Sequence, residues 1–108
     1  MANVFQNANG NPANPIIIDT AFGSVPAALT AIAGSGPQRF RLIRWVNPSS
    51  AGQECKITDG AGNVLFDEFA SAPNVDVTLW DNPGNPYVLK QSNWLVPTLG
   101  GGKLYLWK

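Results

Sequence analysis

Apolar residues along this chain fall in short runs of strand length, separated by clusters of Gly, Pro, Asn and Ser. Pro15 introduces Ile16, Ile17 and Ile18, three β-branched residues that favour a strand beginning after a residue unable to donate to a ladder. Gln38 to Asn47 is the strongest strand pattern. Alternation places Phe40, Leu42, Arg44 and Val46 on one face and Arg39, Arg41, Ile43 and Trp45 on the other, so both faces carry large apolar groups. After the Asn47–Gly52 loop, Gln53 to Thr58 alternates cleanly, with Cys55 and Ile57 inward. The turn Asp59-Gly60-Ala61-Gly62-Asn63 then joins it to Val64–Phe69, because Asp-Gly between apolar runs is a strong hairpin signal. Val75 to Trp80 is the next strand, with Val77 and Leu79 inward and Trp80 outward, and Tyr87 to Leu89 follows the turn-rich residues 81–86. Trp94–Leu99 and Leu104–Trp107 flank Gly100-Gly101-Gly102 and are predicted to pair as a closing aromatic hairpin, with Leu104 and Leu106 on one side and Tyr105 and Trp107 on the other.

Two segments fall outside this rhythm. Residues 1–14 are rich in Asn and hold only Val4 and Phe5 as large apolar side chains, so they are expected to form an extended arm, either a disordered tail or one that docks those two residues on a partner. Ala27 to Ala33 has room for one or two helical turns, held only by packing. The remainder, 15–108, reads as one all-β domain of about eight short antiparallel strands, a β-sandwich or jelly-roll-like barrel.

Composition narrows the function classes. Seven basic residues balance seven acidic ones and only 13% of the chain is charged, so no net field draws nucleic acid or an anionic membrane. No apolar run approaches the ~20 residues of a membrane helix. The single cysteine, Cys55, cannot form an internal disulfide, which suits folding in a reducing cytoplasm. The surface left by so few charges suits contact with neighbouring protein.

Candidate chemistry is sparse. The chain has no histidine, which removes the commonest general base and the commonest metal ligand together. Asp67 and Glu68 are adjacent on a strand and point to opposite faces, so they cannot flank one scissile bond. Cys55 is expected to act as a small buried hydrophobe rather than a nucleophile. Asp59, Asn63, Asp76 and Asp81 lie in or beside turns, but their spacing does not match a calcium loop. Lys103 is followed by Leu104 rather than Ser or Thr, so the triple-glycine segment is no phosphate loop. Arg39, Arg41 and Arg44 are each expected to pair with a carboxylate such as Glu54 or Asp67 on a neighbouring strand. Neither enzyme activity nor a cofactor or metal site is therefore expected.

Of the four tryptophans, Trp45 and Trp94 have apolar neighbours and look like core residues, whereas Trp80 beside Asp81 looks exposed. Exposed Trp and Tyr anchor protein interfaces and also stack on sugar rings. Both classes remain open on the residues alone.

Residues 41–68, RLIRWVNPSSAGQECKITDGAGNVLFDE, and 93–108, NWLVPTLGGGKLYLWK, resemble small β-sandwich proteins among the structural proteins of tailed bacteriophages. In those, a Trp-ended strand and short loop lead to an Asp-Gly hairpin, and a GKLYLY-like strand comes last. The resemblance spans about residues 15–108 and implies a virion component, of capsid decoration (cement) or tail accessory type. It implies a homo-oligomer, folded in the host cytoplasm, that binds the major capsid protein or other virion subunits. The resemblance carries over no functional residue; the apolar side chains of the arm, Val4 and Phe5, and the aromatics Trp80, Tyr87, Tyr105 and Trp107 are the candidate interface residues. The alternative is a carbohydrate-binding or fibre-tip domain that uses Trp80 and Tyr87 as a stacking platform.

Overall fold

A computed structural model describes residues 3–6, 9, 12–24, 38–89 and 94–108. Those residues are all-β, with strands β1 (Val4–Gln6), β2 (Pro12–Ile18), β3 (Gln38–Phe40), β4 (Leu42–Val46), β5 (Glu54–Asp59), β6 (Val64–Phe69), β7 (Val77–Asp81), β8 (Tyr87–Leu89), β9 (Trp94–Leu99) and β10 (Lys103–Trp107). A five-stranded sheet runs β1-β2-β10-β4-β7, a three-stranded sheet β6-β5-β9, and β3 pairs with β8; the pairings are antiparallel throughout. The expected helical turn at Ala27–Ala33 lies outside the described residues.

The alternating pattern becomes a sandwich because each sheet buries one set of alternate residues. Ile16, Ile18, Ile43, Trp45, Leu104 and Leu106 of the larger sheet and Cys55, Ile57, Trp94 and Val96 of the smaller one are fully buried and belong to one cluster, with Phe40 and Leu89. Removing a large aliphatic or aromatic side chain from water contributes about 1.5–3 kcal/mol each, enough in sum to close the two layers. Their opposite faces therefore point away from one another.

The Asp-Gly hairpin forms between β5 and β6. Asp59 Oδ1 accepts from the Ala61 and Asn63 backbone N–H groups at 2.9 Å each, Asn63 Nδ2 donates to Oδ2 at 3.0 Å, and Gly62 takes φ 92°. These donors, the Asn63 side chain first, hold the Asp59 carboxyl below its ordinary pKa.

Four expectations are corrected. The closing pair is not a hairpin: β9 pairs with β5 in one sheet, whereas β10 lies between β2 and β4 in the other. Gly100–Gly102 crosses from layer to layer instead of reversing within one. Gly100 N donates to Glu54 O at 2.9 Å, and the buried Trp45 indole donates Nε1–H to Gly101 O at 2.7 Å. Second, residues 4–6 are no free arm: β1 pairs with β2, and Phe5, 4% exposed, packs edge-on against Phe22 and Trp94. Third, the strand expected at Gln38–Asn47 breaks at Arg41. Arg41 N donates to Trp107 O, Arg41 O accepts from Asn82 N, and beyond that bend the inward positions change phase, so Phe40 is followed inward by Ile43 and Trp45. Fourth, β7 carries a bulge at Leu79, because Ile43 pairs with Trp80 but Arg44 pairs with Thr78. The extra residue turns Trp80 to the inner side, opposite buried Ile43.

Two expected outcomes follow from this packing. Phe5→Ala should lower the unfolding free energy in urea by about 3 kcal/mol or more, as for a core aromatic; an arm residue would change it negligibly. Gly102 has φ 68°, and a Cβ there would collide with the Val46 and Asn47 carbonyl oxygens. Gly102→Ala should therefore cost more than about 1 kcal/mol in the same assay, whereas a flexible hairpin turn would absorb it.

Candidate interaction surface

The outer face of the five-stranded sheet is built by register. Val4 lies opposite Ile17, Ile17 opposite Tyr105, Tyr105 opposite Arg44, and Arg44 opposite Thr78. Directly paired residues project to the same side, so these five form one row across the sheet. Trp107, Leu42 and Asp81 form a second row, and Lys103 and Val46 a third pair. Val4 is 40% exposed, and Ile17, Leu42, Arg44, Val46, Tyr105 and Trp107 are half-buried. The Tyr105 and Trp107 rings stack at 5.4 Å and 23°. The result is an apolar, aromatic surface with one guanidinium in its middle and the exposed Asp81 and Lys103 at its margins.

Among the described residues that guanidinium has no carboxylate partner within ion-pair distance. Arg44 lies in the larger sheet, while Glu54 and Asp67 stand on the outer side of the smaller one: Glu54 pairs with Phe69 and Asp67 with Lys56, in alternation with inward Cys55 and Ile57. Glu54 instead meets Lys56 Nζ at 3.5 Å. Arg44 Nε is shielded from solvent and has no hydrogen-bond partner. Arg41 Nε donates to the Lys108 carbonyl at 2.9 Å, so that expected ion pair is replaced by a backbone contact. Arg39 is exposed opposite Val88.

The six candidate interface residues thus separate into three groups. Val4, Tyr105 and Trp107 share the outer face of the larger sheet. Phe5 belongs to the core and is unavailable to a partner. Trp80 and Tyr87 face inward at the rim, where Tyr87 contacts Phe66 at 4.7 Å and Trp80 at 5.1 Å. Trp80 Nε1 donates to Asn85 O at 3.2 Å, and burial raises the Tyr87 pKa. Residues missed by sequence reasoning are Ile17, Leu42, Arg44 and Val46. A run of three isoleucines on one strand signalled Ile17, since the middle one must face away from its neighbours.

On the opposite outer face, Glu54 and Asp67 lie close together and Phe69 is 58% exposed. The neighbouring Asp67 carboxyl first, then desolvation, hold the Glu54 carboxyl above its ordinary pKa, against the opposing pull of Lys56. Glu68 follows Asp67 on β6 and pairs with Cys55, so the two carboxylates occupy opposite sides of the strand.

The turn acids are spoken for separately: Asp59 closes its hairpin, and Asp76 Oδ1 accepts from Asn47 N at 3.0 Å. Among the described residues no three His, Cys, Asp or Glu side chains gather as a metal site, and no helix is long and apolar enough to cross a membrane. Family models, curated proteins and solved structures offer no match to this chain.

Cys55 is fully buried, and desolvation, assisted by the charges of Asp67, Glu54 and Glu68, pushes its thiol pKa up to about 12. The native protein should therefore leave a disulfide reagent unreacted at mildly alkaline pH and release one thiol equivalent only when unfolded in denaturant; rapid native labelling would contradict this burial.

Proposed function

We propose that this chain is a non-enzymatic structural protein of a tailed-phage virion, which binds the major capsid protein or a neighbouring virion subunit through the outer face of its five-stranded sheet. The observation that carries the proposal is the aromatic and aliphatic row centred on Tyr105, with Trp107 stacked beside it. A sheet face that ends in solvent is normally polar in alternate positions. Here those positions hold Ile17, Leu42, Val46, Tyr105 and Trp107.

Attachment works by excluding water from that face. Tyr and Trp bring large rigid area at low entropic cost and dominate interface energetics when they fill a partner's pocket. Phe5 takes no part, because it is committed to the core. The protein folds in the host cytoplasm and acts in the assembled particle. The resemblance to small phage sandwiches supplies the particle; the sheet face supplies the means of binding.

The carbohydrate alternative is weaker on geometry. Trp80 and Tyr87 meet at 62° in an edge-on arrangement and lean toward the core, so they offer no flat platform to a sugar ring.

The deciding experiment complements a phage lacking this gene with a Tyr105→Ser/Trp107→Ser double variant. Near-UV circular dichroism should stay close to wild type apart from the lost rings, and occupancy on purified particles should fall about tenfold or more, the scale of losing an aromatic hot spot. Undiminished occupancy would overturn the proposal, and loss of glycan retention by Trp80→Ala without any assembly defect would favour the alternative.

A further inference from the structure

The two outer faces of the sandwich complement one another. On the larger sheet, Arg44 stands among Tyr105, Trp107 and Leu42 with no ion-pair partner among the described residues, while Lys103 and Asp81 lie at the margins of that face. On the smaller sheet, Glu54 and Asp67 crowd together beside the exposed ring of Phe69, with Lys56 the one ion-pair partner of Glu54. One face has a cation in need of an anion, set in apolar surface. The other has an excess of acid around an exposed aromatic. Within a single copy the two sets cannot meet, because the core lies between them.

We propose that a second copy of this chain supplies the missing partner: the Glu54–Asp67–Phe69 face of one molecule docks on the Arg44–Tyr105–Trp107 face of the next. The inference rests on reading the outer face of the larger sheet as an assembly surface, and it names the occupant. The contact is heterologous, since different patches meet, and the patches lie on opposite sides of the sandwich. Repetition therefore extends an open-ended stack along the sheet normal rather than closing a symmetric pair.

A symmetric dimer through the larger sheet fits less well. It would bring the central Arg44 side chains of both copies toward one another, and like charges placed face to face cost several kcal/mol. The stack instead places Phe69 against the Tyr105–Trp107 pair and puts Arg44 near Glu54 and Asp67. The smaller sheet limits the contact: three strands at about 4.8 Å and six residues at about 3.3 Å give a projected face of about 290 Å². That is small for a specific contact, so assembly should depend on concentration and weaken with added salt.

The test is sedimentation equilibrium on the full chain from low micromolar to millimolar concentration, with wild type, Arg44→Glu, and Glu54→Lys/Asp67→Lys. Wild type should show mass rising continuously with concentration, and each variant alone should associate at least about tenfold more weakly. An equimolar mixture of the two variants should regain association, because every acidic face then meets a basic one. That recovery cannot come from misfolded chains, and Phe69→Ser gives a second, charge-free check by weakening association in the same direction. A mixture that fails to associate overturns the stack. So does loss confined to Arg44→Glu with the acidic-face variant unaffected, which would indicate a symmetric dimer. Wild type that stays monomeric while the Tyr105→Ser/Trp107→Ser variant loses particle occupancy would overturn the stack and leave the virion reading standing. Self-association with unchanged particle occupancy would do the reverse.

Discussion

The crossing at Gly100–Gly102 is the constraint on which the rest of the sandwich depends. β9 carries Trp94 and Val96 into the core from one sheet, and within a few residues β10 carries Leu104 and Leu106 into it from the other. Such a short crossing must press its backbone against the layer it leaves. Side chains beyond hydrogen at Gly100 or Gly102 would meet the Gln53–Glu54 backbone region or the Val46 and Asn47 carbonyls. The same proximity lets Gly101 O receive the Trp45 indole N–H, so the largest buried side chain of β4 has no unsatisfied polar atom. Packing of the core and threading of the connection are thus one problem with one solution.

Much of the architecture was legible from alternation. The strand character of nearly every apolar run, the inward Cys55 and Ile57, and the Asp59 turn all follow from local chemistry that tertiary context leaves alone. What local chemistry does not encode is which strands become neighbours. Trp94–Leu99 and Leu104–Trp107 around three glycines look the same whether they fold on each other or part company, because a turn and a crossing ask for the same backbone freedom. One-residue phase changes are equally silent. The bend at Arg41 and the bulge at Leu79 each move side chains to the opposite face, which is why Trp80 turned inward and the outward face of β4 became apolar. Phe5 was misjudged for a different reason: a single aromatic in an Asn-rich stretch carries no periodicity, and only the cavity beside Phe22 and Trp94 explains its place.

For the candidate surface, Tyr105 and Trp107 were readable from the alternation of β10, but the face they belong to was not. It is assembled from strands distant in sequence, with Val4, Ile17, Arg44 and Tyr105 aligned only by pairing register. The expected ion pairs of Arg44 failed for the same topological reason, since sequence neighbours β4 and β5 belong to different layers. Both outer faces carry both signs, Arg44, Lys103 and Asp81 on one and Glu54, Asp67 and Lys56 on the other, with one net base on the first and one net acid on the second.

The position of β10 also bears on how the chain reaches this state. It follows the other nine described strands in sequence, yet it sits at the centre of its sheet, bridging β2 and β4. Until β10 has left the ribosome, β2 and β4 have no partner between them, and β1–β2 and β4–β7 exist only as separate ribbons with apolar faces uncovered. Two-stranded ribbons of this kind are marginal in water. Joining the two ribbons therefore waits for β10 and is a long-range step, in the slow regime of domains dominated by non-local strand pairing. A chain in which β10 is not yet paired leaves the inner faces of β2 and β4 uncovered, the condition in which β-sheet proteins are most prone to aggregate.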